Sequence, residues 1–250
     1  MVIVVRQELR DLWLGGRGLL LGLAFSVLLS AMTYLAATNE ELNFLEQREA
    51  VNLTLQVAIA VGSLLALLAA ADAISGDRER GTLESLLLTP MPRASLVSGK
   101  LLAALSLWVG AMVITVPYVW FLARNVGAAG EALGTGLVAG TLLALALTSF
   151  GMVVSALARS NRVSLFVLLA LFAPTQLPMG AQQGWAGELL LRVNPVTAAL
   201  HYIGKVVVDQ HAWTRDLSWL VSPLVGAAVL TVVAVAVAPR FVTLRGGALG

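Results

Sequence analysis

Long apolar stretches alternate with short polar segments along most of the chain. Six runs have the length of a membrane span and contain no Asp, Glu, Lys, Arg or His: 18–37, 53–71, 101–123, 132–158, 163–180 and 217–238. A helix needs about 20 apolar residues to cross a bilayer. The pattern therefore predicts an all-α, polytopic membrane protein with six transmembrane helices, built as a single domain over residues 1–250.

Composition supports this interpretation. Hydrophobic residues make up 58% of the chain and charged residues 12%, against roughly 45–50% and 25% in soluble domains. So few charges could not cover the surface of a soluble protein of this size. The chain has no cysteine, which excludes disulfides, thiolate metal sites and a thiol nucleophile.

The basic residues predict the orientation of the six spans. With the N-terminus inside, 11 of the 16 lysines and arginines fall on the inner side, and the cytoplasmic side of a membrane protein is normally the basic one. We therefore expect a multi-pass protein of the cell (inner or plasma) membrane, with both termini in the cytoplasm. The 11 are Arg6, Arg10, Arg17, Arg78, Arg80, Arg93, Lys100, Arg159, Arg162, Arg240 and Arg245.

Three segments outside the runs have a pattern of their own. In residues 1–17, Val5, Leu9, Leu12 and Trp13 recur at helical spacing, which predicts an amphipathic helix in the membrane interface. Residues 72–100 form a long inner segment. Residues 181–216 form an outer segment that is too apolar for a free loop, so we expect short re-entrant or interfacial helices before the sixth span.

The inner segment contains a predicted short helix over residues 82–88. Leu83, Leu86 and Leu87 share one face of it, and Glu84 lies on the other. Prolines at positions 90 and 92 end the helix and allow the next one to begin. A leucine face next to a membrane and a polar face toward the cytosol indicate a docking element, with a plain solvated loop as the alternative.

Several kinds of chemistry are disfavoured by what the sequence lacks. Ion-coupled carriers usually keep charged groups at membrane depth, and none of the six runs contains one. A phosphate-binding loop requires G-x-x-x-x-G-K-[ST], whereas Gly99-Lys100 is followed by Leu101. His201 and His211 have no neighbours that would complete a metal site. We therefore predict no catalytic residue, metal ligand or cofactor in this chain.

One stretch resembles a known family. The run Glu79-Arg80-Gly81-Thr82-Leu83-Glu84, followed by Leu87, Pro90, Arg93 and Gly99-Lys100, is similar to the signature loop after the second span of ABC type-2 permeases. Asn194-Pro195-Val196-Thr197, ahead of the last predicted span, also resembles a feature of that family. The similarity in length, span layout and N-terminal helix extends over nearly the whole chain.

The resemblance implies a coupling element in the inner segment and a gate in the outer one. The residues implied in ATPase coupling are Glu79, Arg80, Gly81, Thr82, Leu83, Glu84, Leu87, Pro90 and Arg93. Those implied in the external gate are Asn194, Pro195 and Thr197.

The resemblance also implies a half-transporter. Such a permease pairs with a second permease, identical or homologous, and is driven by separate ATPase subunits that bind ATP and Mg²⁺. Most characterised family members export their substrate, and a drug, a lipid or another amphiphile would fit this chain. A membrane enzyme or assembly factor without transport is the main alternative, and a stand-alone carrier is a third.

Overall fold

The computed structural model describes residues 2–38, 44–88, 92–172, 189 and 191–242. This part of the chain is helical and contains no strand, which confirms the all-α prediction. Its α-helices are α1 (Val2–Leu14), α2 (Arg17–Ala37), α3 (Phe44–Glu79), α4 (Thr82–Leu87), α5 (Arg93–Ala123), α6 (Ala129–Leu157), α7 (Asn161–Phe172), α8 (Pro195–Val207) and α9 (Val221–Ala236). Short 3₁₀ turns cover Arg124–Val126, Leu217–Leu220 and Ala238–Arg240.

Five helical segments of the described chain are long and apolar enough to cross a membrane. They are Arg17–Ala37, Glu46–Glu79, Arg93–Val126, Ala129–Leu157 and Leu217–Arg240. Membrane-spanning segments are expected to be helical, because a backbone in hydrocarbon must satisfy its own hydrogen bonds. The fifth predicted run, 163–180, begins within α7, whose apolar part is shorter than a span, and residues 173–180 lie outside the described chain.

Two of the spanning helices continue well beyond their apolar runs. α3 has 36 residues and α5 has 31, which at about 1.5 Å per residue exceeds the roughly 30 Å of a hydrocarbon core. Both ends of the predicted inner segment, residues 72–100, therefore belong to long helices. Residues 72–79 continue α3, and residues 93–100 are the first two turns of α5.

Helices α3, α5 and α6 form the centre of the bundle around Trp108. A Cβ placed on Gly140 of α6 would lie 2.5 Å from the Trp108 ring, and one on Gly62 of α3 would lie 3.3 Å from it. The indole Nε1 donates to Thr141 Oγ1 at 3.2 Å. The glycines of α3 and α6 thus let two helices close around a fully buried tryptophan, which is the small-residue packing typical of membrane bundles.

The bundle has two distinct ends. At one, which we call the α1 end, Val4, Leu83, Leu96, Ala156 and Val242 share a buried cluster, so the N-terminal helix and the last described residue lie together. At the other, which we call the α8 end, the start of α3 packs with α8, the end of α5 and the 3₁₀ turn before α9.

Helix α1 packs along the first turns of α5. Val4 Cγ1 lies 2.7 Å from the position that a Cβ on Gly99 would take, so only glycine allows this approach. Farther along, Trp13 Nε1 donates to Ser106 Oγ at 3.0 Å, and the Trp13 ring covers Gly110. Arg6 and Arg10 on the opposite face of α1 are exposed.

Candidate functional site

A sharp turn at Gly81 separates α3 from α4 at the α1 end. Gly81 has φ 72°, ψ 4°, in the left-handed region that favours glycine. The turn redirects the chain after Glu79, so that α4 begins at Thr82. The glycine of the Glu79–Glu84 motif is therefore required by backbone geometry.

The six-residue helix α4 has one buried and one exposed edge. Leu83 is 4% exposed and packs in the cluster at the α1 end, and Leu86 packs partly buried against the same cluster. Glu84 is exposed, and Leu88, directly after the helix, is 79% exposed. The Leu87 side chain and Pro90 lie outside the described residues.

Arg78 and Glu79 fasten the end of α3 to the turn between α6 and α7. The Arg78 guanidinium donates to the backbone oxygens of Ala158 and Ala156. Glu79 Oε2 accepts a hydrogen bond from the Asn161 backbone N–H at 3.1 Å, at the first residue of α7. Glu79, which the motif placed among the coupling residues, thus binds within its own chain.

Arg80 also turns back onto α3. Its guanidinium lies 3.1 Å from Asp77 Oδ1 and 3.4 Å from Asp72 Oδ2. Partial burial lowers the pKa of Arg80, but Asp77 and Asp72 more than offset it, so the pKa is raised above its ordinary value. A Cβ on Gly76 would lie 2.1 Å from Asp72 Oδ1 and 2.9 Å from Arg80 Nη2, so this glycine makes room for the ion pair.

Asp77 connects Arg80 to a buried lysine. Its second oxygen, Oδ2, lies 2.6 Å from Lys100 Nζ, and the same ammonium lies 2.6 Å from Glu8 Oε1 on α1. The Lys100 side chain is 3% exposed. The Thr82 hydroxyl donates to the Asp77 backbone oxygen at 3.3 Å, so Asp77 contacts the start of α4 as well.

Arg17 completes this set of ion pairs at the first residue of α2. Its Nη1 lies 3.2 Å from Asp72 Oδ2. The result is an unbroken line of alternating charges that starts on α1, passes through α5 and α3, and returns to the α1–α2 turn. We call Glu8, Lys100, Asp77, Arg80, Asp72 and Arg17 the charged network.

The remaining inner residue of the motif, Arg93, is the first residue of α5 and is exposed. Arg93 follows α4 in the sequence and is not a member of the charged network. Of the predicted coupling residues whose side chains the structure describes, five are exposed, namely Glu79, Arg80, Thr82, Glu84 and Arg93. Three of these, Glu79, Arg80 and Thr82, also bind within the chain.

At the α8 end, Asn194, Pro195 and Thr197 form the start of α8. Asn194 Oδ1 accepts from the Val196 backbone N–H at 2.9 Å, and Pro195 occupies the first helical position. Thr197 Oγ1 donates to the backbone oxygens of Leu191 (2.9 Å) and Asn194 (3.2 Å). Asn as N-cap followed by Pro is a favoured way to begin a helix.

Sequence reasoning missed Arg48, which holds the other end of α8. Its side chain is buried, with the residue 7% exposed, and donates to the backbone oxygens of Val207 (2.9 Å) and Val126 (3.3 Å). A cation is favoured there, because helix C-termini carry partial negative charge. The sequence held a signal: Arg48 precedes the buried Val51 and Leu55 by three and seven residues, on the same helical face.

Aromatic and charged side chains surround the 3₁₀ turn before α9. The His201 ring lies 4.2 Å from the Trp219 ring, and the Arg192 guanidinium lies 4.8 Å from it. Burial, and then the charge of Lys205, lower the pKa of His201. His211 Nδ1 lies 2.7 Å from Asp216 Oδ2.

Comparison with known families decides the class of this protein. The sequence profile of one family, described as "ABC-2 family transporter protein", matches residues 2–239, from α1 to the end of the last span. The chain belongs to the ABC-2 transporter family. It is therefore a multi-pass membrane permease, as the Glu79–Lys100 motif had indicated. No curated protein matches this ABC-2 permease.

Proposed function

We propose that this ABC-2 permease forms the translocation pathway of an exporter driven by separate ATPase subunits, which dock on α4. The observation that carries the proposal is the construction of α4. It stands on the Gly81 turn, is anchored by the buried Leu83 and presents Glu84 outward. An exposed carboxylate on a firmly held helix can accept charge-assisted hydrogen bonds from a partner.

We also propose six crossings, with the α1 end in the cytoplasm. α7 begins at the α1 end, where Glu79 binds Asn161, and α8 and the start of α9 lie at the α8 end. The chain between them must therefore change ends, and α7 with the rest of the run 163–180 is apolar enough for that crossing. The excess of basic residues at the α1 end supports this orientation.

Single cysteines test this topology, because the chain has none of its own. Thr214→Cys and Ala94→Cys replace exposed residues at the α8 end and the α1 end, respectively. A membrane-impermeant thiol reagent on intact cells should label Thr214→Cys and not Ala94→Cys. Labelling of both from outside, or of Ala94→Cys alone, would contradict the six-span orientation.

The substrate pathway requires a second half. We propose that a second permease, identical or homologous, completes it, and that a drug, lipid or other amphiphile is exported. ATP and Mg²⁺ would then bind to the ATPase partners, since this chain lacks a phosphate loop. At the α8 end, α8 would act as the external gate, held at its start by Asn194 and at its end by Arg48.

Two single substitutions of glutamate, one on α4 and one at the α8 end, test the docking surface. Glu84→Ala removes the exposed carboxylate of α4, whereas Glu49→Ala removes another exposed carboxylate, at the α8 end. The permease is co-expressed with candidate ABC ATPases from the same genome, and the amount of ATPase that co-purifies is measured. Glu84→Ala should reduce co-purification, since a charge-assisted hydrogen bond contributes about 1.5–3 kcal/mol, and Glu49→Ala should not.

Two results would refute the docking assignment. One is equal co-purification of the two variants with the ATPase at the native level. The other is ATP hydrolysis by the purified permease alone, which would favour the enzyme alternative over a transport subunit.

A further inference from the structure

We infer that Lys100 is a positioning residue that makes α1 move with the coupling segment, so that α1 is a second moving part of the transporter. This inference rests on the proposed docking of an ATPase at α4. It concerns what happens inside the permease after docking, which neither the family match nor the motif specifies.

The first argument is the position of Lys100 within the charged network. Its ammonium lies 2.6 Å from Asp77 on α3 and 2.6 Å from Glu8 on α1. Asp77 in turn binds Arg80 through its side chain and Thr82 through its backbone oxygen. A displacement of α4 therefore reaches Asp77 first, then Lys100, and then Glu8.

The second argument is the burial of this bridge. The Lys100 side chain is 3% exposed, and those of Asp77 and Glu8 are 13% and 26% exposed. Charges attract more strongly where water is scarce, and a buried charge that loses its partner is strongly disfavoured. Helix α1 therefore follows Lys100, since separation would leave Glu8 without its partner and take from the buried Lys100 one of its two carboxylates.

The third argument is the balance of the charged network. It contains three cations and three carboxylates that alternate from Glu8 to Arg17. Both ends of the α1–α2 turn are thus tied to the same stretch of α3, Glu8 through Lys100 and Arg17 directly through Asp72. The contact of Val4 with Gly99 and the Trp13–Ser106 hydrogen bond attach α1 to α5, and neither of them involves a charge.

The experiment follows α1 and α4 separately in the permease–ATPase complex. An environment-sensitive fluorescent amino acid replaces either Leu14, at the end of α1, or Leu88, after α4; these residues are 75% and 79% exposed. The change in fluorescence on trapping the complex with ATP and vanadate is recorded. In the native sequence both positions should respond.

A matched pair of substitutions on α1 isolates the bridge. Glu8→Ala removes the partner of Lys100, and Asp11→Ala removes an exposed carboxylate one turn later on the same helix. Both place alanine, the best helix former, at the mutated position. Glu8→Ala should lose most of the Leu14 response and keep the Leu88 response and ATPase co-purification. Asp11→Ala should keep all three.

A disulfide provides the rescue. The Val4 Cβ lies 3.1 Å from the position of a Cβ on Gly99, about 0.4 Å below the roughly 3.5–4.5 Å range of disulfides, so a small shift of α1 away from α5 would allow the bond. Val4→Cys with Gly99→Cys, on the Glu8→Ala background, should restore the Leu14 response when oxidised and lose it again on reduction. The crosslink replaces the lost ion pair next to Lys100.

The outcomes are separable. Two results would show that α1 does not move through Lys100. One is a full Leu14 response in Glu8→Ala, and the other is a native protein in which Leu88 responds and Leu14 does not. Either result makes the inference wrong but leaves the proposed docking at α4 intact. If the native Leu88 position is silent, both the inference and the proposed role of α4 fail. Failure of the oxidised crosslink to restore the response would show that Glu8→Ala acts by disturbing α1 itself, which also overturns the inference.

Discussion

Removal of the Arg48 guanidinium should loosen the end of α8 from the bundle. In the structure this one side chain donates to Val207 on α8 and to Val126 after α5, and so it joins three helices at the α8 end. Arg48→Met keeps most of the aliphatic stem and removes both donors. The two backbone oxygens then lose a charged partner in a site that is nearly closed to water.

The size of the effect follows from these two bonds. Hydrogen bonds to a charged group contribute about 1.5–3 kcal/mol each, which gives an upper range of about 3–6 kcal/mol. Removal of the cation also relieves its own desolvation cost, so we expect a net loss of about 2–4 kcal/mol. A difference of about 1.4 kcal/mol is tenfold in an equilibrium constant, so the opening of α8 should become about 30- to 700-fold more frequent.

Amide hydrogen exchange measures this opening directly. The Val208 backbone N–H, which donates to Gly204 at 2.9 Å in the last turn of α8, should lose protection by that factor in purified Arg48→Met. Arg124→Met is the control: Arg124 is exposed at the same end of the bundle and rests over the Phe121 ring at 4.5 Å. If the two variants exchange alike at Val208, then Arg48 does not hold α8, and the reasoning from its burial fails.

Three further perturbations have defined outcomes. Gly81→Ala should destabilise the α3–α4 turn by about 1–2 kcal/mol, because φ there is 72°; thermal unfolding against Gly130→Ala, at an open position, measures it. Asn194→Ala should lower stability by about 0.5–2 kcal/mol through loss of the α8 cap, and Asn194→Ser should recover most of it. The lowered pKa of His201 predicts that its contribution to stability is full above about pH 6.5 and is lost as the pH falls through the folded-state pKa. His201→Gln should remove that part of the pH dependence of the melting temperature. An unchanged pH dependence in this variant would contradict the prediction.

The spans could be predicted from the sequence because each depends on a local count of apolar residues. The end of α3 and the start of α5 could not be predicted in this way. Asp72, Asp77 and Lys100 are charged, and a method that scores each charged residue separately assigns them to a loop. They are helical because they neutralise one another across helices. Such pairing depends on which helices become neighbours, and a single sequence does not contain that information directly.

The motif names the candidate site residues, and the structure adds the contacts of each of them. Glu79 and Arg80, which the motif assigns to ATPase coupling, contact Asn161 and Asp77 of the same chain. The left-handed turn at Gly81 and the inward leucine at position 83 follow from local rules on glycine and on helical periodicity. The role of Arg48 could not be predicted, because the backbone oxygens of Val126 and Val207 that it binds cannot be recognised as its partners in a sequence.

The charged network has a consequence for the membrane potential. Moving one elementary charge through a membrane voltage of 100 mV involves about 2.3 kcal/mol of electrical work. Three positive and three negative groups bound to one another carry no net charge, so a movement of the whole set does no such work. The charged network itself should therefore contribute no voltage dependence, and its displacement should cost the same in polarised and depolarised cells.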